Sequence, residues 1–377
     1  MPRSHVVVAV AFRGLAIGTA LALSDCATVS WDPPPTAGRE AAPVPPALAG
    51  LPAAQVQVDP RRHDLVIELP ALDVGPAAAG MEAMALTPLC RVDVPVSGFV
   101  YRYRVEMVDS SGQPAGVLLH HFKLTDPSRR ELFLPVALLL LAAGRETPAI
   151  SVPSLFMGIP VHRGQVLLAG AMVTNVAPVP RTGVRVRLII GYVPSGRPWP
   201  LYRAYPFGID VLFPLGHPPA GSKMFDLPPG RTVRSWEGRP AVPGTVLGVG
   251  GHLHDYGVSV EFTDVTARQV LWHGTPVRDS LGRVLSLPVA RFYSLSRMGV
   301  HIVPSHLYRV TATYENPTGR LLCDGGMGSV GGLFVPDPGA RWPAVDTTDT
   351  MYRQDLHDTL EENPHDMQAM MEMDRPC

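Results

Sequence analysis

Charge is scarce in this chain and nowhere concentrated. Of the 377 residues only 17% are Asp, Glu, Lys or Arg, the formal net charge is -1, and no run of basic residues occurs. A protein that holds nucleic acid by neutralising phosphates needs a basic patch, so nucleic acid is excluded as the expected partner. Lysine is nearly absent, at Lys123 and Lys223 alone. Arginine supplies the rest, a compositional bias to which no function attaches. Long apolar runs are missing too: Gly14 to Ser24 and Pro135 to Ala143 both fall short of the roughly 20 residues that span a bilayer as a helix.

What is abundant is punctuation. The 41 prolines and 36 glycines predict short strands, many turns and few long helices. The length exceeds what one growing core accommodates, so two domains are expected. Residues 1–26 read as an export signal, with Arg3 and Arg13 ahead of or flanking a short apolar stretch. Leu23-Ser24-Asp25-Cys26 has the outline of a lipoprotein cleavage site with Cys26 as the lipidated residue, which would place the protein in the cell envelope or periplasm on a lipid anchor. Asp25 is unusual at that position, so plain secretion stays open. Residues 27–54, rich in Pro and Ala, read as a tether. Cys90, Cys323 and Cys377 offer a disulfide whose pairing the sequence does not give.

Residues 55–200 read as a first antiparallel β-sandwich, from runs such as Leu65 to Leu69, Gly98 to Val108, Gly116 to Leu124, Val166 to Val173 and Val184 to Val193. Pro135 to Ala143 is read as a short buried helix. Residues 201–346 read as a second sandwich, with strands at Pro206 to Phe213, Val258 to Phe262, Val270 to Trp272 and Leu307 to Tyr314. Residues 347–377 form an acidic, methionine-rich tail. Its Met367 to Met373 segment is either a loose Cu(I) trap or a short amphipathic or disordered end.

Histidine carries the chemistry. Residues two apart on a strand share a face, so His252 and His254 in Gly250-Gly251-His252-Leu253-His254-Asp255-Tyr256-Gly257 can converge on a metal. His120 and His121 are adjacent; on a regular strand they point to opposite faces, and both reach one metal only where the strand ends or twists. Met327, in Asp324-Gly325-Gly326-Met327-Gly328, has no neighbouring side chains to pack against. A thioether beside imidazoles selects copper over hard cations. His162 lies in a turn. His273, His301 and His306 are expected to be ordinary polar residues near strand ends.

In that order on two β-sandwich domains, His120-His121, His252-x-His254 and Met327 resemble the type II copper, ascorbate-dependent monooxygenases, which include peptidylglycine α-hydroxylating and dopamine β-monooxygenases. With Arg234-Ser235-Trp236-Glu237-Gly238 they look most like the stress-up-regulated nodulin-like branch. The resemblance runs from about Leu65 to Asp346. It implies two coppers: a catalytic one on His252, His254 and Met327, and an electron-transfer one on His120, His121 and a third histidine. The aligned third position holds Thr174, a poor copper ligand, for which His162 or Met172 could substitute. It further implies hydroxylation of a C–H bond with O2 and ascorbate as external reductant, on a small-molecule or peptide substrate. Two other readings stand beside it: a non-catalytic copper-storage lipoprotein with a degenerate first site, and a β-sandwich binding module presenting Trp199, Trp236 and Trp272 on one face.

Overall fold

The computed structural model describes residues 46–77, 82–147, 149–197, 200–212, 223–294 and 297–361. The export signal with Cys26, most of the tether, Trp199, Cys377 and the methionine cluster of the tail lie outside the described residues. The chain is all-β, as its punctuation predicts. The described helices are a short turn at Pro46–Ala49 and the helix Thr350–Glu361.

Two sheets enclose the first core. One has the order Gln55–Asp59, Asp64–Glu68, Arg181–Pro194, Gly98–Val108, Met157–Val161, Tyr202–Arg203; the other runs Ala83–Leu86, Val166–Asn175, Leu118–Arg130, Ala137–Gly144. Alternation explains the arrangement. In Arg181–Pro194 the side chains of Val184, Val186, Leu188 and Ile190 are buried, while Arg185 and Arg187 between them pair with Glu68. Cys90 is buried in this core as a free thiol, pushed up to about 11 by burial. Cys323 is disulfide-bonded.

A second pair of sheets encloses the second core. The first has the order Tyr205–Asp210, Gly328–Pro336, Gly244–Leu253, Ala290–Arg291; the other runs Gly230–Gly238, Tyr308–Asn316, Gly257–Asp264, Gln269–Gly274. Phe207, Phe262, Tyr308, Phe334 and Trp272 fill the space between them. Trp272 is therefore a core residue and Trp236 packs partly buried against the same cluster, so these two do not form an exposed aromatic platform.

The two halves are fastened at several points. Leu132 and Phe133, which follow the Leu118–Arg130 strand, belong to the second core; the Phe133 ring meets Phe262 and Tyr308 edge-on at 6.4 and 6.1 Å. The Trp342 indole N–H donates to the Arg130 carbonyl at 3.1 Å. Asp349 caps the Thr350–Glu361 helix by accepting the N–H groups of Met351 and Tyr352. That helix docks on the first half, with the Tyr352 hydroxyl donating to the Pro127 carbonyl at 2.8 Å. This part of the tail is thus a seated helix.

Pro135 to Ala143 is not a helix. Residues Ala137–Gly144 are a strand hydrogen-bonded to Leu118–Arg130. Its unbroken apolar sequence reflects cover on both faces, by the first core and by the second half with the C-terminal helix; burial on two sides removes the polar alternation that marks a half-exposed strand.

Glu131 lies at the seam, 3% exposed, and its Oε1 accepts the Gly208 N–H at 2.5 Å. Burial pushes its carboxyl up to about 8 from an ordinary 4.5. Below pH 4.5 the group is protonated folded or unfolded and costs nothing. As the pH climbs toward 8 the unfolded chain ionises it freely while the folded chain resists, so stability is lost over that window. Thermal midpoints of wild type and Glu131→Gln measured from pH 4.5 to 8 should diverge, the wild type falling relative to the variant. Parallel curves would show that Glu131 ionises in the folded chain as it does in water.

Candidate metal centre

The Leu118–Arg130 strand solves the problem of adjacent histidines with a bulge. Opposite it on Val166–Asn175, Met172 faces His121 and Val173 faces Leu119, leaving His120 as the extra residue. A bulge breaks the alternation that would send neighbours to opposite faces, and the two rings lie 4.3 Å apart, centroid to centroid.

His252 and His254 sit where the Gly244–Leu253 strand ends. Val249 and Leu253 point into the second core, which places His252 on the sheet's other face. Gly251, facing the core, has no room for a side chain: a Cβ there would stand 2.8 Å from Trp272 and from Val260. The chain then turns through Tyr256, at φ 65°, a turn held by the Tyr256 N–H donating to the Gly282 carbonyl. One buried hydroxyl ties the turn to the methionine loop. The Tyr314 oxygen accepts the N–H of His254 at 2.9 Å and the N–H of Met327 at 3.1 Å, and it donates to the Met327 carbonyl.

The four histidines meet in one group rather than in two. His121 Nε2 is 2.9 Å from His252 Nε2 and 3.4 Å from His254 Nε2. His120, His121 and His254 each present a ring nitrogen within 4.8 Å of the others. Ring centroids of His120 and His254, and of His252 and His254, are 5.2 Å apart. The His252 ring is fixed from behind by Glu146, whose Oε1 lies 2.6 Å from Nδ1. That leaves Nε2 facing the other imidazoles, the arrangement by which a carboxylate orients a metal-ligating histidine. Gly144 makes it possible, since a Cβ at that position would lie 2.7 Å from the same Oε1.

The electrostatics suit ligation, which requires neutral imidazoles. Burial and the neighbouring His252 bring His120 down to about 4. Burial and the other imidazoles hold His121 and His254 well below the ordinary histidine range. At His252 burial acts downward, but the charge and hydrogen bond of Glu146 outweigh it and raise the ring's value. Burial pushes the Glu146 carboxyl up, and His252 overcomes that push to hold it below the ordinary range.

Thr174 is fully buried and points to a different role. Its hydroxyl is 3.2 Å from Arg145 Nη2, and the same Nη2 is 2.6 Å from Glu82 Oε2. An arginine–glutamate pair thus stands where the resemblance implies a third histidine. His162 is set apart, its charged surroundings being Arg129, Arg203 and Asp126. Met172, directly across from His121, shares its face. His273, His301 and His306 each lie beside a carboxylate, those of Glu261, Asp337 and Asp264. Glu146 and Tyr314 carry no signal in the sequence: a lone Glu after Gly-Arg and a Tyr in an alternating strand are ordinary, and only the fold brings them to the histidines.

A cavity of about 940 Å³ opens beside the cluster, between the second face of the Leu118–Arg130 sheet and that of the Gly244–Leu253 sheet. His121, His252, Glu146, Met172 and Met327 line it. The centre therefore has one face toward a space within the range that holds small-molecule ligands.

No protein-family model and no curated protein matches the chain. Among solved structures, the chain is similar to the major capsid protein P2 of bacteriophage PM2, at 12% identity and a TM-score of 0.23 over 72% of this chain and 97% of that one. It is also similar to the infectious bursal disease virus VP2 subviral particle, at 8% identity and a TM-score of 0.14 over 78% and 84%. Likenesses at this level carry no argument about function.

Removing the carboxylate that orients His252 should weaken divalent-metal binding by about 10- to 100-fold, the usual cost of losing such a partner. Competition titration of Glu146→Ala with Co(II) against a chromophoric chelator reads this directly. Affinity equal to wild type would mean that Glu146 is only a structural ion-pair partner.

Proposed function

We propose that this chain is a copper protein with a single imidazole-rich centre at the seam of its two halves, oxidising a molecule held in the adjoining cavity. The observation that carries the reading is the convergence of His120, His121, His252 and His254 from both halves, with burial holding His120, His121 and His254 below the ordinary histidine range. Imidazoles with a thioether nearby form a donor set suited to copper, and their number and orientation fit the ion. Bound copper would supply one-electron chemistry with O2, drawing on an external reductant such as ascorbate. The protein's own part is to orient His252 through Glu146, to clamp His254 and Met327 through Tyr314, and to keep the occupant of the cavity away from bulk water.

The reading departs from the two-copper scheme that the resemblance implies. Separate sites need separate ligand groups, whereas here His121 lies within contact of both members of the H-x-H pair, and Arg145 with Glu82 takes the place beside Thr174. A second reading, copper storage without catalysis, is favoured by one feature. Four imidazoles satisfy a tetrahedral ion completely, and closed sites are structural while catalytic ones keep a position open. Export and lipidation at Cys26 belong to either reading.

Protein loaded with copper and then desalted should retain one equivalent by metal analysis, and His252→Ala should lose it. Two tightly held equivalents would overturn the single-centre reading. Oxygen consumption by the loaded protein with ascorbate, abolished in His252→Ala, separates oxidation from storage.

A further inference from the structure

The cavity floor is paved with glycine for no packing reason. On the sheet built from Tyr205–Asp210, Gly328–Pro336 and Gly244–Leu253, Gly208 pairs with Gly331 and Gly331 with Gly250, so the three lie in one row across three strands. Directly opposite residues share a face, and the next row on that face, Asp210, Ser329 and His252, lines the cavity. The nearest atom to a Cβ on Gly208, Gly331 or Gly250 would be at 3.6, 3.5 or 3.4 Å, an ordinary contact, and none of the three has positive φ. Gly251 and Gly332 on the other face differ: a Cβ there would collide with Trp272 and Val260, or with the Gly248 carbonyl and Phe207. The core demands those two glycines. The row of three meets no such demand, and what it preserves is open space beside His252.

One end of the row is polar. Glu131, anchored through Oε1 to the Gly208 N–H, has its Oε2 buried with no hydrogen-bond partner among the described residues, and so does Asp358 at Oδ2. Both residues line the cavity, together with Asp210, Asp355, Lys123 and Lys223. A carboxylate head at Glu131 would share the cavity with four acidic side chains, Glu131, Asp210, Asp355 and Asp358. A cationic head would compete with two lysines already present, and burial keeps Glu131 protonated at neutral pH. What the end lacks is a neutral group that both donates and accepts a hydrogen bond. The rest of the lining is largely aliphatic and aromatic, as at Leu89, Phe122, Leu139, Met157 and Leu333. The row itself spans about 10 Å at the usual strand spacing.

We propose that the Gly208–Gly331–Gly250 row is the seat of a long-chain alcohol, its hydroxyl between Glu131 and Asp358 and its chain lying across the glycines past His252. This deepens the proposed function by naming a substrate class, and only the step from bound alcohol to substrate rests on that reading. Binding is therefore tested on metal-free full-length protein, so that its failure and the failure of copper loading stay distinguishable.

Equilibrium dialysis with labelled dodecanol should show saturable binding of one molecule per chain. Gly331→Val, which fills the floor on ordinary extended backbone, should weaken that binding at least tenfold with an unchanged thermal midpoint. Should Gly331→Val fold poorly, Gly250→Ala gives the same comparison, with a smaller loss expected. Dodecanoate and dodecylamine should each bind at least tenfold more weakly than dodecanol. Absence of saturable dodecanol binding, or undiminished binding by a folded floor variant, overturns the seat. Equal or tighter binding of the acid or the amine overturns the alcohol head group.

Discussion

Two sheets in this protein turn their second faces toward each other instead of toward water. A typical sandwich buries one face of each sheet and solvates the other; here the Leu118–Arg130 and Gly244–Leu253 sheets each cover a core and then enclose a shared space. Everything unusual in the chain follows from that constraint. Residues that a solvated face would leave wet must be apolar, paired or absent. The result is the apolar Ala137–Gly144 strand, the Glu82–Arg145 pair, and the side-chain-free glycine row.

The polar groups at the seam are those that buried surroundings can support. The Glu146 carboxylate costs less to bury because His252 bonds it, and His252 in turn gains a fixed ring and a directed Nε2. Tyr314 satisfies two backbone N–H groups that would otherwise be orphaned where the H-x-H turn and the methionine loop come together. Glu131 pays for its position with a raised carboxyl value. The clustering of the imidazoles, the orientation of His252 and the open space beside them are thus consequences of one burial problem.

Much of this architecture could be read from residue order. Strands at Gly98–Val108, Arg181–Pro194 and Tyr308–Asn316 were legible because one face of each is apolar and the other is not. Ala137–Gly144 was illegible as a strand, because two-sided burial erases the period that separates strand from buried helix. His252-x-His254 was legible as a converging pair, since period-two spacing holds on any strand. His120-His121 was not: adjacency predicts divergence, and only the slip in register opposite Met172 and Val173 reverses it.

The sequence by itself determined the all-β class, the positions of several of the strands and the residue types able to hold a soft metal, because these depend on local periodicity and side-chain chemistry. The tertiary structure decided that four histidines from two halves share one place and that the Thr174 hydroxyl lies beside Arg145. It also brought Glu146, Tyr314 and the glycine row beside those histidines. Those facts depend on register and on contacts between residues 106 or 131 positions apart, as for Glu146 with His252 and His121 with His252. No local pattern encodes such distances, because the free energy that selects them comes from packing two sheet faces against each other.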